Sequence, residues 1–171
     1  QVMAALRRRD AAAEFVYLGG DDMREVSGTA PVIDYRDMAF MGFSEVLRNL
    51  GRISANLRAA KEALRAARPD VLVLVDYPSF NLKVAAEARR LGIPVAYYIS
   101  PKVWAWKEWR VRTIKKLVDR MLVIFPFEVE YYARRHHYKV TYVGNPSVGE
   151  IDAALAAKPE RADFMAAHGM D

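Results

Sequence analysis

Polar side chains with catalytic potential follow an apolar run that ends at Val75, in the segment DYPSFN at residues 76–81. Asp76 is the candidate base, because a carboxylate held at the end of a buried strand can accept a proton from a hydroxyl. Ser79 and Asn81 are hydrogen-bond donors close by in the sequence. A structural alternative exists, since an Asp before a proline turn commonly accepts hydrogen bonds from local backbone N–H groups. The residue types alone leave both interpretations open.

All three tryptophans of the chain lie in the segment SPKVWAWKEWRVR, residues 100–112, among several cations. Flat indole rings suit a sugar face or an acyl chain, and cations suit a phosphate. The ordinary alternative is a mixture of core aromatics and a solvated basic face. We predict that substrate is bound by Asn81, Ser100, Lys102, Trp104, Trp106, Lys107 and Arg110.

A third segment, residues 38–53, places large apolar side chains just ahead of an amphipathic helical pattern that carries Arg48 and Arg52. Core packing is the default explanation for such residues. An apolar loop flanked by arginines is also typical of a protein that touches an anionic membrane or an acylated ligand. We therefore predict membrane or acyl-chain contact for Met38, Phe40, Met41 and Phe43.

Alternating strands and helices must position these segments. Strands are predicted at residues 14–20, 31–35, 70–76, 93–100, 120–125 and 139–144, with helical patterns between them. The run at 70–76 has no polar alternation, which predicts a strand covered on both faces. The sequence thus indicates an α/β fold with an open parallel sheet and helices on both faces, whose ligands lie beyond the carboxyl ends of the strands. We predict a Rossmann-like domain over residues 1–150 and a connector over residues 151–171.

Composition excludes several kinds of site. The chain of 171 residues has no cysteine, so disulfides, thiolate metal sites and cysteine nucleophiles are excluded. His136 and His137 lack a partner at metal spacing, and neither a G-x-G-x-x-G motif nor a P-loop is present, so we expect no metal and no cofactor. A formal charge of +5 favours acidic partners. Nucleic acid is the least favoured of these, because the basic segment 110–120 shares its helix with a core stripe.

Four motifs together resemble a known family. In this order and spacing, DYPSFN, YYISPKVWAWKEWRV, FPFEVEYY and YVGNP resemble the lipid-A-disaccharide synthases of glycosyltransferase family 19, acylated-sugar glycosyltransferases of outer-membrane bacteria. The segments FVYLGG and MAFMGFSEVL extend the resemblance over nearly the whole chain. It implies the amino-terminal, acceptor-side half of a B-type enzyme with two Rossmann-like halves. The family's first strand would then precede Gln1, and the donor-binding half would follow Asp171.

The resemblance also implies an activity. Asp76 matches the family's essential aspartate, whereas Ser79 stands where the family commonly has a second acid, and Asn145 where it often has a histidine. The implied reaction transfers a hexosyl group, with inversion, from UDP-2,3-diacylglucosamine to 2,3-diacylglucosamine 1-phosphate, giving lipid A disaccharide 1-phosphate and UDP without a metal. We expect a peripheral enzyme on the cytoplasmic face of the inner membrane, and little or no catalysis by the isolated 171 residues. The alternative is a noncatalytic lipid- or nucleotide-binding module with a flavodoxin-like sheet.

Overall fold

The computed structural model describes residues 1–37 and 49–157, together with residues 165 and 167. Strands and helices alternate along it. The helices are α1 (Val2–Arg9), α2 (Asp21–Ser27), α3 (Leu50–Ala67), α4 (Pro78–Arg90), α5 (Arg110–Leu117), α6 (Pro126–His136) and α7 (Pro146–Ala156). The strands are β1 (Leu18–Gly19), β2 (Ile33–Asp34), β3 (Leu72–Val75), β4 (Val95–Tyr98), β5 (Arg120–Val123) and β6 (Thr141–Tyr142).

Every strand pairing is parallel, as the sequence predicts, but the described strands form two sheets rather than one. β1 pairs with β2 in a two-stranded sheet, and the order β3-β4-β5-β6 makes a four-stranded sheet. β3 is therefore an edge strand of the larger sheet, with no partner on its outer side among the described residues. The fold class is confirmed as α/β, and the carboxyl ends of β3 to β6 form one edge.

Local sequence explains where the elements around this edge begin and end. Pro78, Pro126 and Pro146 each open a helix, where the missing N–H of proline is not needed and its fixed φ suits the first turn. After α4, Gly92 takes a left-handed conformation with φ 74°, which lets the chain turn back towards β4. Strand, proline turn and helix thus repeat at the ends of β3, β5 and β6.

The core lies on one face of the larger sheet. Leu74, Tyr97 and Met121 are adjacent in the register of β3, β4 and β5, and all three are buried. Helices α4 and α5 supply the side chains that cover them, including Phe80 and Ile114. Burying such large apolar side chains contributes about 1.5–3 kcal/mol each. The same packing fixes the strand ends that carry the polar residues.

The prediction that β3 is covered on both faces is wrong. Val71, Val73 and Val75 are 46%, 38% and 48% exposed, whereas Leu74 between them is buried. Successive side chains of a strand point to opposite faces, so one face of β3 is open among the described residues. A continuous apolar run permits a strand to be covered on both faces, but it does not determine which elements pack against those faces.

The comparison with the predicted elements also concerns α2, α7 and the apolar residues 38–43. Helix α2 was not predicted; it begins after Gly20, where a Cβ would lie 2.5 Å from Cε1 of Tyr35, so that a larger residue there would require the Tyr35 ring to shift. Helix α7 runs continuously through residues 150 and 151, the boundary predicted between domain and connector, and this division stays a prediction. The apolar residues Met38, Phe40, Met41 and Phe43 lie outside the described residues.

Candidate functional site

The backbone bends sharply where β3 ends. Asp76 and Tyr77 both adopt left-handed conformations, with φ 43° and 41°. Non-glycine residues rarely do so, and each such residue costs about 1–3 kcal/mol. Two in succession at the end of a strand persist only when surrounding contacts hold them. A strained main chain at a polar strand end is a common property of functional sites.

Hydrogen bonds hold the main chain of Asp76 from two sides. Its N–H donates to the carbonyl of Tyr98 over 3.1 Å. Its carbonyl accepts from Nδ2 of Asn81 at 2.7 Å and from the Tyr97 hydroxyl at 2.5 Å. Nδ2 of Asn81 also donates to the carbonyl of Val75 at 3.0 Å. The turn is thereby fixed against β4 and the first turns of α4.

The carboxylate of Asp76 is left open. The residue is exposed, and no hydrogen bond or ion pair joins its carboxylate to another residue within 1–37 and 49–157. The buried hydroxyl of Tyr97 lies nearby: burial raises the pKa of Tyr97, and the negative charge of Asp76 acts in the same direction. The neighbouring Asn81 amide and the positive charge of Arg110 oppose that shift in pKa. Asp76, Tyr97, Asn81 and Arg110 therefore converge at one point of the edge.

Arg110 joins the first turn of α5 to the loop after β3. Its Nη2 donates to Oγ of Ser79 at 3.0 Å, and its guanidinium lies 5.7 Å from the ring centre of Trp109. Arg110 is half-buried. Its guanidinium lies beside the loop of Asp76 and has no ion-pair partner among the described residues. A guanidinium in this position suits a phosphate group of a ligand.

The tryptophan loop, residues 99–109, is fastened at both ends. At its start the buried hydroxyl of Ser100 donates to Oε1 of Glu128 at 2.7 Å, and Glu128 also accepts from the Phe125 N–H at 3.1 Å. At its end Glu108 is held by Arg135 at 2.5 Å and accepts from the Tyr131 hydroxyl at 3.2 Å. Partial burial opposes ionisation of Glu108, but these hydrogen bonds outweigh it and lower the pKa of the carboxyl.

Between these attachments the loop presents aromatic rings to solvent. Trp104 and Trp106 are 40% and 64% exposed, and Trp104 packs edge-on against the exposed ring of Phe127 at 5.1 Å. The ammonium of Lys107 lies 3.9 Å from the ring centre of Trp106, a cation–π contact. We call Trp104, Trp106, Lys107 and Phe127 the aromatic surface. It offers flat apolar area and positive charge together.

The predicted substrate-binding residues fall into two groups. Lys102, Trp104 and Trp106 are exposed, and Lys107 and Arg110 are half-buried, all of them on or beside the tryptophan loop. In contrast, Asn81 gives both amide hydrogens to backbone carbonyls, and Ser100 is only 4% exposed. A substrate contact of Asn81 would have to use its Oδ1, and a contact of Ser100 would require the residue to leave its buried position. The substrate contacts of Asn81 and Ser100 remain predictions, because most of the polar groups of these two residues are already hydrogen-bonded within the protein.

Sequence reasoning missed Tyr97 and Phe127. Tyr97 sits in an apolar strand where a core role suffices, and only its hydroxyl, a group that needs a partner when buried, signals more. Phe127 is part of FPFE, which the sequence explains structurally as a strand end that leads into a helix, with Glu128 in the first turn favourable to the helix dipole. Among the described residues, no group of three or more His, Asp or Glu side chains is placed to hold a metal ion. No helix within the described part of the chain is long and apolar enough to cross a membrane.

Comparisons with known proteins agree on one family. The family model described as lipid-A-disaccharide synthetase matches residues 1–166. The lipid-A-disaccharide synthase of Myxococcus xanthus is 44% identical over 151 residues, covering 88% of this chain and 39% of that protein. That of Geobacter sulfurreducens is 42% identical over 164 residues, 96% of this chain and 41% of that protein. That of Acidobacterium capsulatum is 39% identical over 170 residues, 99% and 41% respectively. The chain thus spans about 40% of the length of these relatives.

Proposed function

The chain belongs to the lipid-A-disaccharide synthetase family, and from that premise we propose that it is the acceptor-side half of a hexosyltransferase. The complete enzyme would transfer diacylglucosamine from its UDP derivative to diacylglucosamine 1-phosphate, giving lipid A disaccharide 1-phosphate and UDP. One observation carries this proposal for the chain itself. The open carboxylate of Asp76 stands at the carboxyl edge of a parallel sheet, on a main chain pinned from two sides.

In this proposal Asp76 acts as general base. Its carboxylate takes the proton of the acceptor's primary hydroxyl while that oxygen bonds to the anomeric carbon of the donor. The bond from the anomeric carbon to the UDP oxygen breaks, UDP leaves with the electron pair, and the configuration inverts because attack and departure occur on opposite faces. Asp76 is exposed, and its carboxylate has no hydrogen-bond or ion-pair partner among the described residues, so it can accept from an incoming hydroxyl. A base already engaged in ion pairs would have to break them first.

The acceptor phosphate would meet cations beside the loop that carries Asp76. Arg110 is tied to the Asp76 loop through Ser79, and Lys102 lies exposed on the neighbouring tryptophan loop. A phosphate between them would gain charge-assisted hydrogen bonds from both. We propose that these cations orient the acceptor so that its hydroxyl meets Asp76, while Trp104 and Trp106 contact sugar or acyl groups.

Asp76→Asn tests the base role, in the complete transferase that this proposal implies. Asparagine keeps the shape of the side chain and tolerates the left-handed conformation, but it cannot accept the proton. We expect turnover to fall by about 10²–10⁴-fold, measured as release of UDP and formation of disaccharide. Asp70→Asn is the matched control, since Asp70 is an exposed aspartate just ahead of the same strand. Near-normal turnover in Asp76→Asn would remove Asp76 from the reaction. Saturable acceptor binding with no transfer by the unmodified enzyme would favour the noncatalytic lipid-binding module.

We propose further that the enzyme works at the cytoplasmic face of the inner membrane, and that the aromatic surface makes the contact. Tryptophan is enriched where protein meets a membrane interface, and a basic side chain near the surface is attracted by anionic lipid. Lys107 over Trp106 combines both properties in one place. The apolar residues Met38, Phe40, Met41 and Phe43 remain a second predicted contact.

Vesicle sedimentation tests this contact. We expect the chain to bind vesicles of phosphatidylcholine mixed with phosphatidylglycerol, and Trp106→Ala to weaken that binding about threefold to tenfold because it removes a large amphipathic ring. Vesicles of phosphatidylcholine alone serve as the control for the electrostatic part. Equal binding of both proteins to the anionic vesicles would show that the aromatic surface is not the contact.

A further inference from the structure

Tyr97 has an unusual position for a residue with a polar group. The residue is 0% exposed and lies in the middle of β4, between Leu74 of β3 and Met121 of β5. Phenylalanine would fill the same space with no polar atom to satisfy, and a buried hydroxyl without a partner is unfavourable. The hydroxyl has a partner: it crosses to the next strand end and donates to the carbonyl of Asp76.

That carbonyl is an informative acceptor, because it belongs to the first of the two left-handed residues. Asp76 and Tyr77 would relax to ordinary backbone conformations if nothing opposed it. Relaxation rotates the peptide between them and carries the Asp76 side chain with it. Two donors, the Tyr97 hydroxyl and Nδ2 of Asn81, hold the carbonyl of this peptide in place. Neither donor touches the carboxylate itself.

We propose that Tyr97 is a positioning residue: its hydroxyl, with the amide of Asn81, locks the Asp76–Tyr77 turn and thereby aims the Asp76 carboxylate at the acceptor hydroxyl. The catalytic part of this inference rests on the proposed function, whereas the lock on the turn does not. Tyr97 stays protonated through the neutral range because burial raises its pKa. It therefore donates throughout that range and sets geometry without titrating.

Amide hydrogen exchange in the 171-residue chain tests the lock directly. The Asp76 N–H donates to the Tyr98 carbonyl. In Tyr97→Phe we expect this N–H to exchange about fivefold to tenfold faster, because the turn loses the stabilisation of one hydrogen bond. The Asp119 N–H, bonded to the Val95 carbonyl at the other end of β4, serves as the internal reference and stays unchanged. Tyr138→Phe is the matched control, because the Tyr138 hydroxyl also donates to a backbone carbonyl, that of Val118. An unchanged Asp76 rate, or an equal rise at Asp119, would overturn the proposal.

Kinetics of the complete transferase test the consequence for catalysis. We expect Tyr97→Phe to lower kcat about tenfold with KM within about twofold and with the pH profile unshifted, because a misaimed base affects the reaction more than binding. Tyr138→Phe should leave both constants unchanged. Unchanged kcat, or a rise in KM alone, contradicts the positioning role.

A second variant protects the test against misfolding. Asn81→Leu keeps a similar shape, removes the other donor to the Asp76 carbonyl and leaves the core intact, and we expect the same faster exchange at Asp76. The two hypotheses fail in different ways. If Asp76→Asn is inactive while Tyr97→Phe and Asn81→Leu retain full kcat, the positioning role fails and the base stands. If exchange rises as expected but Asp76→Asn remains active, the lock stands and the proposed function fails.

Discussion

Two carboxylates lie at the same edge of the four-stranded sheet, and they differ in exposure and in hydrogen bonding. Asp76, at the end of β3, is exposed, and its carboxylate accepts no hydrogen bond from the described residues. Glu128, in the first turn of α6 after β5, is 1% exposed and accepts from the Ser100 hydroxyl and the Phe125 N–H. In the first case the hydrogen bonds hold the main chain, and in the second they hold the carboxylate.

We propose that this difference separates a reactive group from a structural one. A carboxylate that must accept a substrate proton has to keep its oxygens free while its position is fixed through the backbone. A carboxylate that joins two elements uses its oxygens for that purpose and is buried with its donors. Glu128 uses its carboxylate to connect the tryptophan loop to α6, whereas the carboxylate of Asp76 makes no such connection among the described residues.

Removing the buried carboxylate should give the largest change in stability. Glu128→Ala leaves the Ser100 hydroxyl and the Phe125 N–H without their partner in a buried place, so we expect a loss of about 3 kcal/mol in the free energy of unfolding. Asp76→Asn should change it by less than about 0.5 kcal/mol. Urea denaturation followed by circular dichroism measures both, and Glu130→Ala, an exposed glutamate on the same helix, is the control. Similar losses for Glu128→Ala and Asp76→Asn would contradict the distinction between the two carboxylates.

A third carboxylate shows the structural use of an ionised side chain through the pH dependence of stability. Glu87 of α4 is held by Arg90 at 2.5 Å and Arg65 at 2.8 Å, and hydrogen bonds from these arginines lower its pKa from 4.5 to about 2. A lowered pKa in the folded state means that the contribution to stability is complete above the unfolded value and is lost as pH falls towards 2. We expect Glu87→Gln to flatten the decline in unfolding free energy between pH 4.5 and 2. An acid profile identical to that of the unmodified chain would show that the arginine pairs add nothing.

The smallest expected effect concerns the strained turn itself. Glycine adopts a positive φ without the penalty that Asp76 carries at φ 43°. Asp76→Gly should therefore raise the free energy of unfolding by about 0.5–1 kcal/mol while abolishing transfer in the complete enzyme. Chemical denaturation and the UDP-release assay measure the two effects separately. A stability that falls instead would mean that the turn is not under strain.

The sequence predicts much of the arrangement that these experiments examine. Apolar runs ended by polar residues located the six strands of the described residues, and the position of Asp76 at a strand end followed from that pattern. Motif order indicated the family, which the comparisons confirm. The base role of Asp76 and the substrate contacts of the tryptophan loop stay predictions.

Other features depend on tertiary contacts that no local pattern encodes. The left-handed pair at 76–77 is held in part by Tyr97, which is distant in the chain and whose hydroxyl donates to the Asp76 carbonyl. Ser100 was expected at the ligand edge, but its hydroxyl meets Glu128 from another helix and is buried there. The exposure of one face of β3 likewise depends on which elements pack against it. The sequence of β3 shows only that its side chains are apolar.

The outer margin of β3 has a practical consequence for the behaviour of the protein in solution. No strand of the described residues pairs with this margin, and Val71, Val73 and Val75 along it are exposed. Such an edge is a template on which an extended segment of another molecule can add, which is a common start of aggregation. The surplus of positive charge keeps molecules apart at low ionic strength, and added salt screens that repulsion. Precipitation should therefore become faster with both concentration and salt, and a lysine in place of Val73 should slow it.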